Sequence, residues 1–402
     1  MNDEKSKICP AICFPFNRPD ASQLSPLLLE LQDSAPASRV SLPSGQTALL
    51  VTGYREVKEV LARREFSCQQ AAEDSKTPFI PFFQRYRTLL SLDPPRHTRA
   101  RRLAANLLGA ETAAAMARPF SASARELLER MREKGPPSNL SSSFIEPLVE
   151  ESIERLTGIP LSLVQELHRL FNANMTVTFP PPDGILSSFD DLDAHLAEII
   201  AERRAVPADD LLSRMLAAAA IAPEVTEDDL VGVLVTVLIA GIRTPGVVLS
   251  QGILNLLNRP DQWELLVTRR ELIPTAVEEI LRYCPPVEVE HLRLTTKEVS
   301  VTDTSLPYRY PVLPSIAAAN RSSAIFADPN SFDVSRQHNP HLAFGYGPHT
   351  CPGTAIARKI LSVALEVLAD VLPGVRAAAP PGEPNISSGY SSALLSSLHV
   401  QW

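Results

Sequence analysis

The chain has 402 residues, of which 45% are hydrophobic and 21% charged, a balance typical of a globular protein rather than a disordered one. Its 36 prolines outnumber its 16 glycines, which reverses the usual order of these two residues. The net charge of −8 gives no global reason to expect a nucleic acid or an anionic membrane as partner.

Two features bear on the compartment of the protein. The first twenty residues carry charges and lack an apolar stretch of signal length, so we expect a cytoplasmic protein that is not secreted. The longest apolar run, Leu230 to Ile242, is shorter than the ~20 residues of a membrane-spanning helix and predicts a buried helix. The five cysteines are odd in number and scattered, which favours reduced thiols over a disulfide framework.

Taken in chain order, the apolar patterns predict a mainly helical protein with short strands. The predicted strands are Ala48–Thr52, Glu298–Thr302, Tyr310–Ala317 and Leu394–Val400. Helical patterns dominate from residue 98 to 283, with clear amphipathic helices at Ser121–Lys134, Leu161–Asn172 and Leu192–Arg204. Two aperiodic segments, residues 68–90 and 175–188, are interpreted either as walls of an apolar pocket or as surface loops.

The sharpest signal for chemistry is a glycine-rich loop around one cysteine, His341 to Gly353, which reads HLAFGYGPHTCPG and leads into a helical pattern. Gly345 and Gly347 permit backbone conformations that bring Cys351 to the start of that helix. A helix N-terminus favours a thiolate over a thiol. The alternative for a lone cysteine is a buried structural residue.

Four more motifs accompany this loop in the sequence: Asp93–Arg102 (DPPRHTRARR), Ala240-Gly241-x-x-Thr244, Glu279-x-x-Arg282 and Phe332-Asp333-x-x-Arg336. Together with the pattern Phe344-Gly345-x-Gly347-x-His349-x-Cys351-x-Gly353, they make the chain resemble the cytochrome P450 family of haem-thiolate monooxygenases. The likeness is strongest to the soluble bacterial branch, and the motifs span roughly residues 40–400.

The resemblance implies a mainly α fold with minor β structure, in which a large helical domain is joined to a small β-rich N-terminal region. It implies a single cytochrome P450 domain over residues 1–402. Residues 40–66 and 286–320 would contribute the β-rich part, and residues 92–283 and 340–375 the helical haem-binding core.

The resemblance also implies a cofactor, haem b (iron protoporphyrin IX), with the Cys351 sulfur as the axial ligand of the iron. Its other expected contacts lie in the cysteine loop and on cationic side chains that would bind the propionates: Phe344, Gly345, Gly353, His97, Arg101, Arg293 and His349. A solvated basic face is the alternative for the arginine run at residues 96–102. We expect His97 and Arg101 to turn inward, and Arg99, Arg102 and Arg358 to remain outside as a dock for an acidic iron–sulfur carrier.

The residues of the Glu279 and Arg336 motifs are expected to be structural. Glu279 and Arg282, joined by Arg336, would form a buried charge network that holds the cysteine-bearing region.

Pro352 lacks an amide N–H, so we expect one fewer hydrogen bond to the thiolate and a more electron-rich sulfur.

The central helix departs from the family pattern beside its oxygen-binding kink, which the resemblance assigns to Ala240, Gly241 and Thr244. Arg243 stands where the family has an acid, and an arginine cannot relay a proton as a carboxylate does. Three hypotheses follow for Arg243: it pairs with an acidic group of the substrate or protein, it points outward, or the enzyme does not use ordinary acid-assisted oxygen activation. Pro245 would leave the Gly241 carbonyl without a helical partner.

The function implied is oxidation of an apolar small molecule with dioxygen, by hydroxylation, epoxidation or oxidative coupling, as a tailoring step in secondary-metabolite biosynthesis. The expected electron donors are a ferredoxin and its reductase, and we expect a monomer with no nucleic-acid or membrane partner. A peroxide-driven or atypical enzyme of the same fold, and a non-catalytic haem-binding or sensor protein, are the alternatives. Gly241, Gly345, Gly347 and Gly353 are all expected where backbone approaches the haem.

Overall fold

The structure is a computed structural model that describes residues 12–18, 23–74, 86–105, 107–174, 189–378, 386–388, 393–395 and 397–402. Its α-helices are α1 (Pro26–Ser34), α2 (Tyr54–Ala62), α3 (Cys68–Glu73), α4 (Arg96–Ala105), α5 (Ala110–Lys134), α6 (Glu146–Thr157), α7 (Leu161–Asn174), α8 (Asp190–Ala205), α9 (Leu211–Ala220), α10 (Glu227–Leu257), α11 (Pro260–Thr268), α12 (Ile273–Tyr283), α13 (Ile316–Ala319) and α14 (Thr354–Val371). A π-helical segment, Ser141–Ile145, runs directly into α6.

Within the described ranges, the strands are short and fall into four sheets. They are β1 (Ala37–Ser41), β2 (Thr47–Val51), β3 (Phe66–Ser67), β4 (Ser138–Asn139), β5 (Arg293–Thr295), β6 (Val299–Val301), β7 (Thr304–Leu306), β8 (Pro311–Pro314), β9 (Arg376–Ala377), β10 (Ile386–Ser388), β11 (Ala393–Leu395) and β12 (His399–Gln401). The largest sheet has the order β1-β2-β8-β5-β3, so strands from before residue 68 pair with strands from after residue 292. In this sheet β2 pairs with β8 in parallel, with Leu50 opposite Leu313.

Two apolar cores follow from this arrangement. The smaller one lies between the five-stranded sheet and α2, with Val57, Val60 and Leu306 fully buried. The larger one fills the helical body, where α14 packs along α5 and also contacts the central helix α10. The cysteine loop precedes α14 and therefore lies where the two cores adjoin.

Helix α10 is the buried helix that the apolar run predicts. Thr226 caps it through a reciprocal bond with Asp229, and Arg96 of α4 binds the buried Asp229 carboxylate at 2.7 Å. In the described part of the chain it is the single helix long and apolar enough to cross a membrane, but 72% of its most apolar window is buried inside the protein. The helix is therefore a core element, as expected.

Three predicted elements have different bounds in the structure. The strand predicted at Tyr310–Ala317 ends at Pro314, because the Ser315 hydroxyl caps the short helix α13. The strand predicted at Leu394–Val400 is two separate strands, β11 and β12. Helix α5 begins well before Ser121 and runs through Pro119, a residue that normally argues against a helix interior.

Candidate functional site

The cysteine loop is a tight turn held by its own backbone. The amide of Cys351 donates to the Phe344 carbonyl at 2.8 Å, and the amide of Gly345 donates to the Leu342 carbonyl at 2.8 Å. Gly345 and Gly347 adopt φ angles of 71° and 73°, a region that favours glycine. The loop thereby places Cys351 three residues before α14, as the sequence predicts.

The sequence predicts that the start of α14 favours a thiolate at Cys351, but the surroundings of the sulfur favour the thiol. Burial raises the pKa of the Cys351 thiol, while the Gly353 amide N–H, which donates to the sulfur, and the charge of Arg101 lower it. The net direction is upward, because burial outweighs these favourable groups. A cation at the sulfur would deprotonate it, as metal ions do for coordinating thiols.

Two cationic or polar side chains at the site have buried atoms that lack a partner among the described residues. They are Nε2 of His97 and Nε of Arg293, and the two residues are only 2% and 3% exposed. Buried polar atoms in native proteins are normally hydrogen-bonded, so such orphans indicate a ligand. Haem carries two carboxylates, and these atoms fit the donors that buried carboxylates require.

The site is also electrostatically prepared for an anion. Burial, with the charges of Arg101 and Arg293, lowers the pKa of His97 to about 4. Burial, Arg293 and His97 lower the pKa of His349 to about 2, and its Nδ1 donates to the Leu89 carbonyl at 3.2 Å. The two imidazole rings lie 4.2 Å apart between centroids. A carboxylate placed here would relieve this crowding of positive charge.

The predicted charge network beneath the cysteine-bearing segment is present and buried. Arg282 Nε donates to Glu279 Oε2 at 2.8 Å, and both side chains are 0% exposed. Arg336 Nε donates to the same oxygen at 3.1 Å. Arg282 also donates to the backbone carbonyls of Asn320 and Ser331, which fixes the segment before the cysteine loop.

The arginines of α4 differ in exposure, although not entirely as expected. Arg101 is half-buried, and its positive charge lowers the pKa of the Cys351 thiol. Arg102 is exposed. Arg99, expected outside, is half-buried, and its Nε is buried with no partner among the described residues. Arg358, also expected to be a free surface charge, binds the Glu278 carboxylate at 2.7 and 2.8 Å and lies over the Phe344 ring.

Glu278 is a site-supporting residue that the sequence reasoning missed. Its carboxylate joins Arg358 of α14 to His341, the first residue of the cysteine loop, at 2.7 and 3.2 Å. Burial alone would raise the pKa of Glu278, but the bonds from His341 and Arg358 lower it to about 2. The one feature of the sequence that could have indicated this role is the position of Glu278 beside Glu279.

On the central helix, Ala240 and Thr244 lie on one face and are partly exposed, as are Gly241 and Gly246, within a mainly buried helix. The Thr244 hydroxyl donates to the Ala240 carbonyl at 2.6 Å. A Cβ at Gly241 would lie 2.3 Å from Ile153 Cδ1 of α6, so a larger residue here would collide with that helix. Its small size serves the packing of two helices.

Arg243 points away from that face and is 7% exposed. Its Nη1 donates to Asn172 Oδ1 of α7 at 2.9 Å, and burial lowers its pKa to about 10. The arginine therefore contacts the protein rather than pointing outward, and the neutral amide of Asn172 is one of its partners.

Part of the expected pocket wall lies outside the described residues. This applies to 79–85 and 179–186, and to the proline run at 180–182. The family resemblance also implies walls at 239–248, 286–292 and 388–394. The first two are described and lie in α10 and in the loop before β5, whereas 389–392 lie outside the described residues.

Comparisons with known proteins agree with this geometry. The family model "Cytochrome P450" matches residues 263–369. Cytochrome P450 141 of Mycobacterium tuberculosis is 37% identical over 97% of this chain and 98% of its own length, and nocardicin C N-oxygenase of Nocardia uniformis is 34% identical over 97% and 98%. A variant of the mixed-function P450 MycG, solved in complex with mycinamicin V, superposes with a TM-score of 0.87 at 32% identity, over 98% of this chain and 100% of that one. A cysteine loop beside buried nitrogens of His97 and Arg293 that lack a partner among the described residues, on a fold and sequence this similar, identifies the chain as a member of the cytochrome P450 family of haem-iron monooxygenases.

Proposed function

We propose that this enzyme binds haem b through the Cys351 sulfur and oxidises an apolar secondary metabolite. The observation that supports this most is the pair of buried, unpartnered nitrogens on His97 and Arg293 beside the cysteine loop. With Arg101 and His349 they form a pocket of two arginine cations and two neutral imidazoles that could bind the propionates. Haem, when bound, would supply the activation of dioxygen with two electrons.

The chain's own groups position and tune that cofactor. The Cys351 sulfur would bind the iron; the Cys351 backbone amide donates to the Phe344 carbonyl, and the sulfur accepts from the Gly353 amide. Pro352 contributes no N–H to the sulfur, so the thiolate keeps more of its electron density. Phe344, covered by the Arg358 guanidinium, excludes water from one side of the loop.

On the opposite side, Ala240 and Thr244 would form the wall where dioxygen and substrate meet. The Thr244 hydroxyl, now donating to the Ala240 carbonyl, can turn to hold or pass a proton there. Arg243 is held by Asn172 on another face, so in this proposal it orients α7 and does not touch the reacting atoms.

The substrate class follows from the relatives. Nocardicin C N-oxygenase and MycG bear the names of secondary metabolites, which supports a tailoring oxidation for this chain. We propose a cytoplasmic monomer that receives electrons from a ferredoxin and its reductase. Support for the ferredoxin comes from the exposed Arg102 and from Lys58, which lies 4.3 Å over the exposed Tyr346 ring of the cysteine loop.

The central experiment takes the purified, haem-loaded protein. The reduced carbon-monoxide complex should show the Soret band of thiolate ligation, and a metabolite library should contain compounds that shift the haem from low to high spin. Those compounds should be oxidised with ferredoxin, reductase and NADPH. Turnover with hydrogen peroxide alone would favour the peroxide-driven alternative, and thiolate ligation without any turnover would favour the sensor.

The electron donor has its own test. The substitution Arg102→Glu should raise the KM for ferredoxin about tenfold and reduce its dependence on salt, because rim charges act mainly on association. Lys134→Glu, a charge reversal at the exposed end of α5, is the control. Equal KM values for the two variants would reject docking at Arg102.

A further inference from the structure

The N-terminal segment of the described chain, residues 12–18, is attached firmly to the body of the protein. It runs beside β1. The Phe14 amide donates to the Ser41 carbonyl at 2.9 Å, and the Ser41 amide donates to the Ile12 carbonyl at 2.8 Å. Phe14 and Phe16 are 2% and 8% exposed and belong to the larger core. Backbone pairing and apolar burial therefore fix the position of this segment.

Arg18 is the last residue of the segment, and it pairs with Glu288, which lies 270 residues further along the chain. Its Nε and Nη2 both donate to Glu288 Oε2, at 3.0 and 2.6 Å. The two side chains are only 15% and 8% exposed. Removing one partner of such a pair leaves the other charge buried without compensation. The pair therefore ties the N-terminal segment to the loop that carries Glu288.

That loop, residues 286–292, borders the cysteine site. Arg293, an expected propionate contact, follows it directly and begins β5. The negative charge of Glu290 contributes to the raised pKa of the Cys351 thiol, and charges act in this way on groups that lie near them. The family resemblance implies that the same loop is a wall of the substrate pocket. The loop thus lies between the segment that holds Glu288 and the place where substrate would bind.

The backbone of the loop is bonded to β8 and α13. The Glu288 carbonyl accepts from the Ala317 amide at 3.1 Å, and the Glu290 amide donates to the Pro314 carbonyl at 2.8 Å. Val289, between these two residues, is 2% exposed and packs in the larger core. Closely packed interiors transmit small displacements, so a shift of Glu288 also moves the two residues that follow it.

We propose that Arg18 is a positioning residue for the substrate wall: it holds the loop at 286–292 through Glu288 and thereby determines which bulky substrates fit the pocket. The inference rests on the proposed function and adds to it a determinant of specificity outside the pocket. Arg18 touches neither substrate nor haem in this proposal, because it acts through the Glu288 carboxylate.

The first experiment measures azole binding to the haem-loaded protein by the shift of the Soret band. Imidazole and clotrimazole both bind haem iron through an azole nitrogen, but clotrimazole also carries three aryl rings. Arg18→Gln should raise the Kd of clotrimazole about tenfold and leave that of imidazole unchanged, because a displaced wall acts on the bulky ligand. Glu288→Gln should have the same effect. Arg39→Gln, the same change at an exposed arginine of β1, is the control and should alter neither Kd.

A double variant separates positioning from stability. Arg18→Met combined with Glu288→Leu replaces the ion pair by apolar side chains, a change that is often neutral for stability. The double variant should unfold in urea near the parent and still bind clotrimazole as weakly as the single variants do. Arg18→Lys keeps the charge but loses the forked donor, so its clotrimazole Kd should lie between those of the parent and Arg18→Gln.

Hydrogen exchange provides a readout that needs no haem ligand. The Glu290 amide is bonded within the protein, so peptides that cover residues 286–292 should exchange slowly in the parent and in Arg39→Gln. In Arg18→Gln their exchange should become about tenfold faster, because local opening governs the rate. Peptides from α5 should exchange as in the parent.

The outcomes distinguish this proposal from the proposed function. A parent without the Soret band of thiolate ligation refutes the proposed function, and hydrogen exchange at 286–292 then still tests the role of Arg18. Equal clotrimazole Kd values for Arg18→Gln and Arg39→Gln overturn the positioning role. An equal loss of imidazole and clotrimazole binding also overturns it, because that pattern indicates general damage to the haem site. Unchanged exchange at 286–292 in Arg18→Gln rejects the role as well.

Discussion

The carboxylate of Glu279 offers the most quantitative prediction, because so many donors converge on it. Oε2 accepts from Arg282, Arg336 and Asn339 at 2.8 to 3.1 Å, and Oε1 accepts from Arg282 and the Asp333 amide at 2.8 and 2.9 Å. The substitution Glu279→Gln keeps the shape but removes the charge and turns one acceptor oxygen into a donor. Donors would then face donors in a site with no water access.

The magnitude follows from burial. Hydrogen bonds to charged groups contribute about 1.5–3 kcal/mol each, and removing one partner of a buried ion pair costs about 3–5 kcal/mol. Arg282 keeps its bonds to backbone carbonyls, which satisfy N–H groups but do not neutralise the guanidinium. We therefore expect Glu279→Gln to lower the free energy of unfolding by about 3–5 kcal/mol.

The assay is urea unfolding of the haem-loaded protein followed by far-ultraviolet circular dichroism. The control is Glu126→Gln, which breaks an i,i+4 pair with Arg130 on α5 whose side chains are 69% and 54% exposed. Exposed pairs contribute at most about 1 kcal/mol, so the control should unfold almost as the parent does. If the two variants lose similar stability, the buried network is not what holds this segment.

Three further predictions concern the site. His97→Ala should weaken haem retention about tenfold in transfer to apomyoglobin, through the loss of one charge-assisted bond, while the exposed neighbour Thr98→Ala should not; equal retention would contradict the propionate role. Pro352→Ala adds an N–H beside the sulfur and should raise the haem reduction potential. An unchanged or lower potential would contradict the proposal that Pro352 keeps the sulfur electron-rich. Glu278 has a pKa that burial would raise but that its histidine and arginine partners lower from 4.5 to about 2. Its stabilisation is present above pH 4.5 and lost as pH falls toward 2, so acid unfolding of Glu278→Gln should lack this pH dependence.

The cysteine loop and the Glu279 network could be predicted from sequence because each depends on short spacings. Gly345 and Gly347 lie within six residues of Cys351, and their positive φ angles follow from the tight turn. Glu279 and Arg282 share one helical turn, so their pairing is local. The long-range partner Arg336 was inferred only through the family resemblance.

The environments of Arg99, Gly241 and Arg243 could not be predicted, because each is decided by a distant element. Gly241 faces Ile153, and Arg243 meets Asn172, contacts made by helices that approach α10 from elsewhere in the chain. Sequence periodicity shows which residues share a face but does not say which helix covers it.

The short helix α13 shows a local limit of pattern reading. Four consecutive apolar residues, Ile316 to Ala319, follow a strand and carry no period that separates helix from strand. The Ser315 hydroxyl, which accepts from the Ala318 amide, decides the matter. A capping serine inside an apolar run therefore deserves more weight than the run itself.

Gly347 has a consequence for recombining this protein with its relatives. A Cβ at this position would lie 2.8 Å from the Leu61 carbonyl oxygen and 2.9 Å from the Ala62 Cα, both backbone atoms at the end of α2. The cysteine loop therefore packs against the backbone at the end of α2, and substitutions of side chains do not change the position of that backbone. A chimera whose crossover falls within α2 must keep the course of that backbone, or the sulfur will shift even though every residue of its own loop is unchanged.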